Sequence, residues 1–168
     1  TKAATLAIMK HVGPVYLRFG RPAVPVFMPE DQEFVIGKAI KLIEGNDVSI
    51  FATGHLVWEA LQAAEALECE GISAEVINIH TIKPLDEQAI LESVAKTKVV
   101  VTAEEHLRNG GLGDSIAQLL ALKRPTPIEM VAVDDKFGES GKPAELMEHY
   151  GLNTKSVVAA VKRVLVRK

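Results

Sequence analysis

Cysteine is nearly missing from this 168-residue sequence: Cys69 stands alone. A single thiol excludes an internal disulfide framework and a cysteine-built zinc site. Flanked by Glu68 and Glu70 on an apparent helix, it is also poorly set up as a nucleophile. Cysteine this scarce reads as a cytosolic redox context. No apolar run approaches the roughly 20 residues that span a bilayer, so a membrane role is not indicated. Charge of one sign is missing too. The formal net charge is −3 and the basic residues are dispersed, so no nucleic-acid footprint is visible. What is present is ordinary for a folded domain: 48% hydrophobic and 24% charged residues. That apolar content argues against disorder, and the length suits one domain, or one domain with a remnant of another.

The sequence opens on Thr1 without a signal-peptide pattern. TLAIMKHV reads as the end of a helix and VYLRF as an extended run, so the start reads as a cut through a larger protein. Residues 20–33 carry Pro22, Pro25 and Pro29 and read as a rigid extended linker, where the domain boundary belongs. Beyond it the chain alternates strands and helices. The predicted strands are Val48–Thr53, Ala74–Ile79, Lys98–Thr102 and Ile128–Val133, with Phe34–Ile43 as an edge strand. The predicted helices are Leu56–Glu70 closed by Gly71, Asp86–Lys96 with Asp86 as N-cap, Asp114–Leu122, and Thr154–Val166. Near-continuous apolar strands alternating with helices imply a parallel sheet covered on both faces.

Polar residues gather where those strands end: His55, then His80 and Thr81, then Glu104, Glu105 and His106, then Asp134 and Asp135. Open α/β sheets bind ligands at the carboxyl ends of their strands, so these residues are candidates for an acid/base pocket around His106 and a glutamate. Wet loops and helix caps account for the same composition. No pair of candidate ligands has helical i, i+4 spacing, which leaves only a weak case for a metal triad. The loop Gly110-Gly111-Leu112-Gly113 resembles a phosphate cradle at a helix start, but Ile116 stands where G-x-G-x-x-G requires its third glycine. A glycine-lined close approach between backbones is the alternative. Arg18 and Arg21 flank Gly20 just before the proline stretch, suited either to bidentate anion binding or to ion pairs across a domain interface.

Several longer runs carry a resemblance. VTAEEHLRNGGLGDSIAQLL, VDDKFGESGKPAELMEHYGL, NIHTIKPLD and EFVIGKAIKLIEGNDVSIFATG resemble the C-terminal domain of transketolase, and YLRFGRPAVPV resembles the closing segment of the preceding pyrimidine-binding domain. The resemblance implies residues 1–22 as that domain's remnant, 23–33 as linker and 34–168 as the transketolase C-terminal domain. It implies a three-layer α/β/α sandwich of five strands, mostly parallel, with the first antiparallel at one edge. It further implies thiamine diphosphate and Mg²⁺ held by an N-terminal half outside this chain. That cofactor would serve two-carbon ketol transfer between sugar phosphates in the pentose phosphate pathway, in a cytoplasmic homodimer. This portion would support folding and assembly, contain no catalytic residue and be inactive alone, possessing no cofactor or metal site of its own. It would be the C-terminal portion of one polypeptide or of a split enzyme's second subunit. By the same resemblance Arg21, in its Gly-Arg-Pro context, contacts the substrate phosphate; similar proteins often have Ser where Gly20 stands. The competing expectation is an autonomous α/β module that binds a nucleotide or phosphate ligand at the strand ends.

Overall fold

The computed structural model describes residues 1–20, 22–29 and 31–168; Arg21 and Glu30 lie outside the described residues. In chain order the elements are α1 (Lys2–Ile8), β1 (Ile40–Ile43), β2 (Val48–Ala52), α2 (Leu56–Glu68), β3 (Ala74–Asn78), α3 (Glu87–Thr97), β4 (Val100–Leu107), α4 (Leu112–Lys123), β5 (Ile128–Val133), α5 (Pro143–His149) and α6 (Thr154–Leu165). The strands form one sheet in the order β1-β3-β2-β4-β5. β1 runs antiparallel to β3 at the edge, and every other pairing is parallel.

Each inner strand carries apolar residues on both faces because each face is covered. Val48, Ile50, Ala52, Val76, Val101 and Ala103 join α2 and α6 in one core, while Phe51, Ile77 and Val100 join α3 and α4 in the other. This is the expected three-layer α/β/α sandwich with one antiparallel edge strand. Side chains such as Phe51, Leu56 and Ile116 are fully enclosed, and each contributes about 1.5–3 kcal/mol by leaving water. α6 owes its place to a valine stripe: Val157, Val161 and Val164 are buried. Its start is tied to α2 by Glu59, whose carboxylate accepts from the Thr154 backbone N–H at 2.7 Å and hydroxyl at 2.6 Å. Asp86 caps α3 as expected, accepting from the Ala89 N–H at 3.3 Å. Its other oxygen accepts from the Ala39 N–H at 3.0 Å, just before β1.

Two expectations need correcting, and one helix was missed. The edge strand is only Ile40–Ile43, because Gly37 adopts a left-handed φ of +82° and the Lys38 N–H closes a turn onto the Val35 carbonyl at 3.0 Å. VYLRF pairs with no strand and lies outside every helix of the described residues. The short helix α5, with Pro143 in its first turn and no buried residue, was not legible from apolar periodicity.

Candidate functional site

The strand-end residues do not converge on one acid/base pocket. They separate because a strand sends successive side chains to opposite faces. Glu105 turns toward α2, where its carboxylate lies 3.0 Å from Nδ1 of His55 at the start of that helix. The adjacent Glu104 turns to the other face and is fully enclosed. His106 places Nδ1 at 2.8 Å from the neighbouring Leu107 carbonyl, and Asp134 pairs with Arg108 at 2.7 Å. The guanidinium of Arg108 holds the Asp134 carboxyl below its ordinary range. Among the described residues no three His, Cys, Asp or Glu side chains are grouped as a metal ion needs.

Glu104 decides the role of the glycine loop. Its two carboxylate oxygens accept from the backbone N–H groups of Leu112 and Gly113, each at 2.7 Å. The helix start that resembles a phosphate cradle therefore already holds an anion, supplied by the chain itself. A Cβ on Gly111 would stand 2.7 Å from the Glu104 carboxyl carbon, so this glycine exists to admit the glutamate. The anion site on which an autonomous nucleotide- or phosphate-binding module would rest is filled. Composition gave no hint of this; the available signal was an acidic residue on a strand eight positions before a glycine-lined helix start.

The N-terminal stretch lies against the opposite side of β4. Both terminal nitrogens of Arg18 reach the Glu105 carbonyl at 3.4 Å, Gly20 sits directly on the His55 ring, and Phe27 stacks on Trp58 of α2 with centroids 6.2 Å apart. Arg18 thus meets a backbone carbonyl of β4, not the acidic side chain that an ion pair requires. Its neighbour Arg21 falls outside the described residues.

His80 anchors the segment before β1. Its ring stacks on Phe34 with centroids 4.1 Å apart, Nδ1 meets the Thr81 hydroxyl at 2.9 Å, and Nε2 is buried with no hydrogen-bond partner. Burial pushes its pKa below the usual 6.5. The unfolded chain therefore takes up this proton more readily than the folded one. Stability contributed here is present above about pH 6.5 and falls as the pH drops below it. The melting temperature is expected to fall from pH 7.5 to pH 5, with a shallower fall in His80→Gln. Equal slopes in thermal scans of both proteins would remove His80 from the effect.

The family model for the transketolase C-terminal domain matches residues 37–157. The chain belongs to this family. A 6-deoxy-6-sulfo-D-fructose transketolase subunit from Clostridium sp. (strain MSTE9) is 49% identical over 99% of this chain and 52% of its own length. A subunit of the apulose-4-phosphate transketolase of Phocaeicola vulgatus is 37% identical over 94% of this chain and 50% of its own. A solved structure described as a split-gene transketolase in an inactive beta4 tetramer superposes with a TM-score of 0.92 at 45% identity. That match covers 98% of this chain and 55% of that one. The chain thus spans about half the length of these two relatives. The 1-deoxy-D-xylulose-5-phosphate synthase of Syntrophotalea carbinolica is 35% identical over 96% of this chain and 26% of its own length.

A diphosphate group does not fit the glycine-lined helix start of α4. The glycine-lined helix start at α4 is closed by a buried carboxylate, which would repel a diphosphate as well as exclude it. No helix among the described residues is long and apolar enough to cross a membrane.

Proposed function

We propose that this chain is the C-terminal portion of a thiamine diphosphate-dependent transketolase, or of its second subunit where the enzyme is split. The complete enzyme transfers two-carbon ketol units between sugar phosphates, as in the pentose phosphate pathway, and works in the cytoplasm as a dimer. In this reading the cofactor and Mg²⁺ are held by a partner N-terminal half, and this chain alone is inactive. Residues 1–22 are the tail of the pyrimidine-binding domain, 23–33 the linker and 34–168 the C-terminal domain. The observation that carries the reading is the match to a split-gene transketolase over 98% of the chain, N-terminal segment included. Exposed apolar side chains on that segment, Met9, Val12, Tyr16 and Val26 among them, add support, since the remaining part of such a domain would cover them.

Arg21 binds the anionic end of the sugar. The names of two relatives carry a sulfo group and a phosphate on the sugar, and a guanidinium suits either. The test is reconstitution with the cofactor-binding half. Ketol transfer is expected only in the mixture, and Arg21→Ala is expected to raise KM for sugar phosphates roughly 10–100-fold, the loss of about one charge-assisted contact. Turnover by the chain alone would defeat the assembly reading, and an unchanged KM in the variant would defeat the assignment of Arg21.

A further inference from the structure

We propose that Arg108 and Arg167 close the outer edge of β5 against strand pairing with a second copy of this chain. β5 ends the sheet, and among the described residues no strand lies beyond it. The carbonyls of Pro127 and Val133 accept from the N–H groups of Val100 and Arg108 at 3.0 and 2.8 Å. Odd-numbered residues here therefore turn their backbone groups to β4. Backbone groups alternate sides along a strand, so those of Ile128 and Met130 point outward.

Both of those outward carbonyls carry a guanidinium. Nη1 of Arg167 donates to the Ile128 carbonyl at 3.2 Å, and Nη1 of Arg108 donates to the Met130 carbonyl at 3.4 Å. A carboxylate holds each arginine in place. Arg167 Nη1 also meets Glu129 Oε1 at 2.8 Å, while Arg163 Nε fixes the other oxygen of that carboxylate at 3.0 Å. Arg108 meets Asp134 Oδ1 through Nε at 3.2 Å and Nη2 at 2.7 Å, which leaves Nη1 for the edge.

The two edges of the sheet are protected differently. β1 is four residues long, shifts register between Lys41 and Ile43, and carries a lysine, and each of these features spoils pairing. β5 (IEMVAV) has six residues and no proline, and keeps a regular register with β4 from Ile128 to Val131. Stripped of its arginines, it is a template for a further strand. The partner that matches it is a second β5, antiparallel about a two-fold axis, because each copy then offers the donors and acceptors that the other requires. That is also the partner the arginines oppose most. Pairing would pull each guanidinium from its carbonyl and crowd four like charges along one seam.

Sedimentation velocity of the chain at a series of concentrations tests this. Arg108→Ala/Arg167→Ala is expected to tighten self-association roughly 10–100-fold over the parent, each freed edge hydrogen bond being a factor of about 5–10. Amide hydrogen exchange then locates the contact. The outward N–H groups of Ile128 and Met130 should exchange freely in the parent and become protected in the associated variant. A double variant that sediments as the parent does overturns the proposal. Association without protection at Ile128 and Met130 overturns it as well, because the lost pairs with Asp134 and Glu129 would then have loosened the fold and exposed some other surface.

Discussion

Replacing Glu104 by alanine is expected to destabilise the chain by about 3–5 kcal/mol, the loss of two buried hydrogen bonds to an ionised acceptor. The side chain is 1% exposed, and its two oxygens satisfy the N–H groups of Leu112 and Gly113 at the start of α4. Both residues are buried, so water cannot replace the carboxylate without opening the structure. The positive end of the helix dipole faces the same carboxylate and strengthens the contact. In a chain of this length the loss corresponds to a fall in melting temperature of roughly 6–20 °C. Glu104→Gln keeps the shape but turns an amide NH₂ toward one of the two N–H donors, so it should recover less than half of the loss. Thermal unfolding of the three proteins decides the matter. A midpoint for Glu104→Ala equal to that of the parent would mean that the helix start finds other acceptors, and the self-filled anion site would lose its energetic basis.

Glu104 also shows where sequence reading stops. The run VSIFA announces a buried parallel strand because coverage on both faces removes alternation, and the valine stripe of α6 announces its packing face. Those patterns depend only on local spacing. The chemistry at the strand ends does not. Glu104 and Glu105 are adjacent, yet one enters the α4 side of the sheet and the other meets His55 on the α2 side. A one-residue offset decides which glutamate is structural and which faces the interface, and composition is silent on that offset. The edge strand was legible in place but not in length, because Gly37 ends the extended conformation through a positive φ that no hydrophobic pattern encodes. Gly20 was legible as a departure from similar proteins. Its reason, the His55 ring, lies 35 positions away and needed the fold.

The second large effect concerns Glu75, which lies wholly buried on β3 facing α3. Its carboxylate meets the ammonium groups of Lys96 at 2.7 Å and Lys41 at 3.2 Å and accepts from the Ser93 hydroxyl. The two lysines sit at the mouth of this site, 35% and 45% exposed, and both also reach Glu44. The carboxylates of Glu44 and Glu75 raise the Lys41 pKa above its ordinary 10.5. The two sides of the cluster are therefore not equivalent. Losing both lysines strands a charge that cannot reach water, so Lys41→Met/Lys96→Met should cost about 3–5 kcal/mol. Glu75→Gln removes the buried charge instead. Its amide can still donate to Ser93 and accept from Lys96, and the lysines keep Glu44 and solvent, so its cost should stay near 1 kcal/mol, that of about one ordinary hydrogen bond. Adding Glu75→Gln to the double-lysine variant should then restore stability, because the charge to be compensated no longer exists. Urea unfolding of the four proteins reads the order directly. If Glu75→Gln proves more damaging than loss of both lysines, the cluster is held by hydrogen bonds to the carboxylate and not by the need to neutralise it.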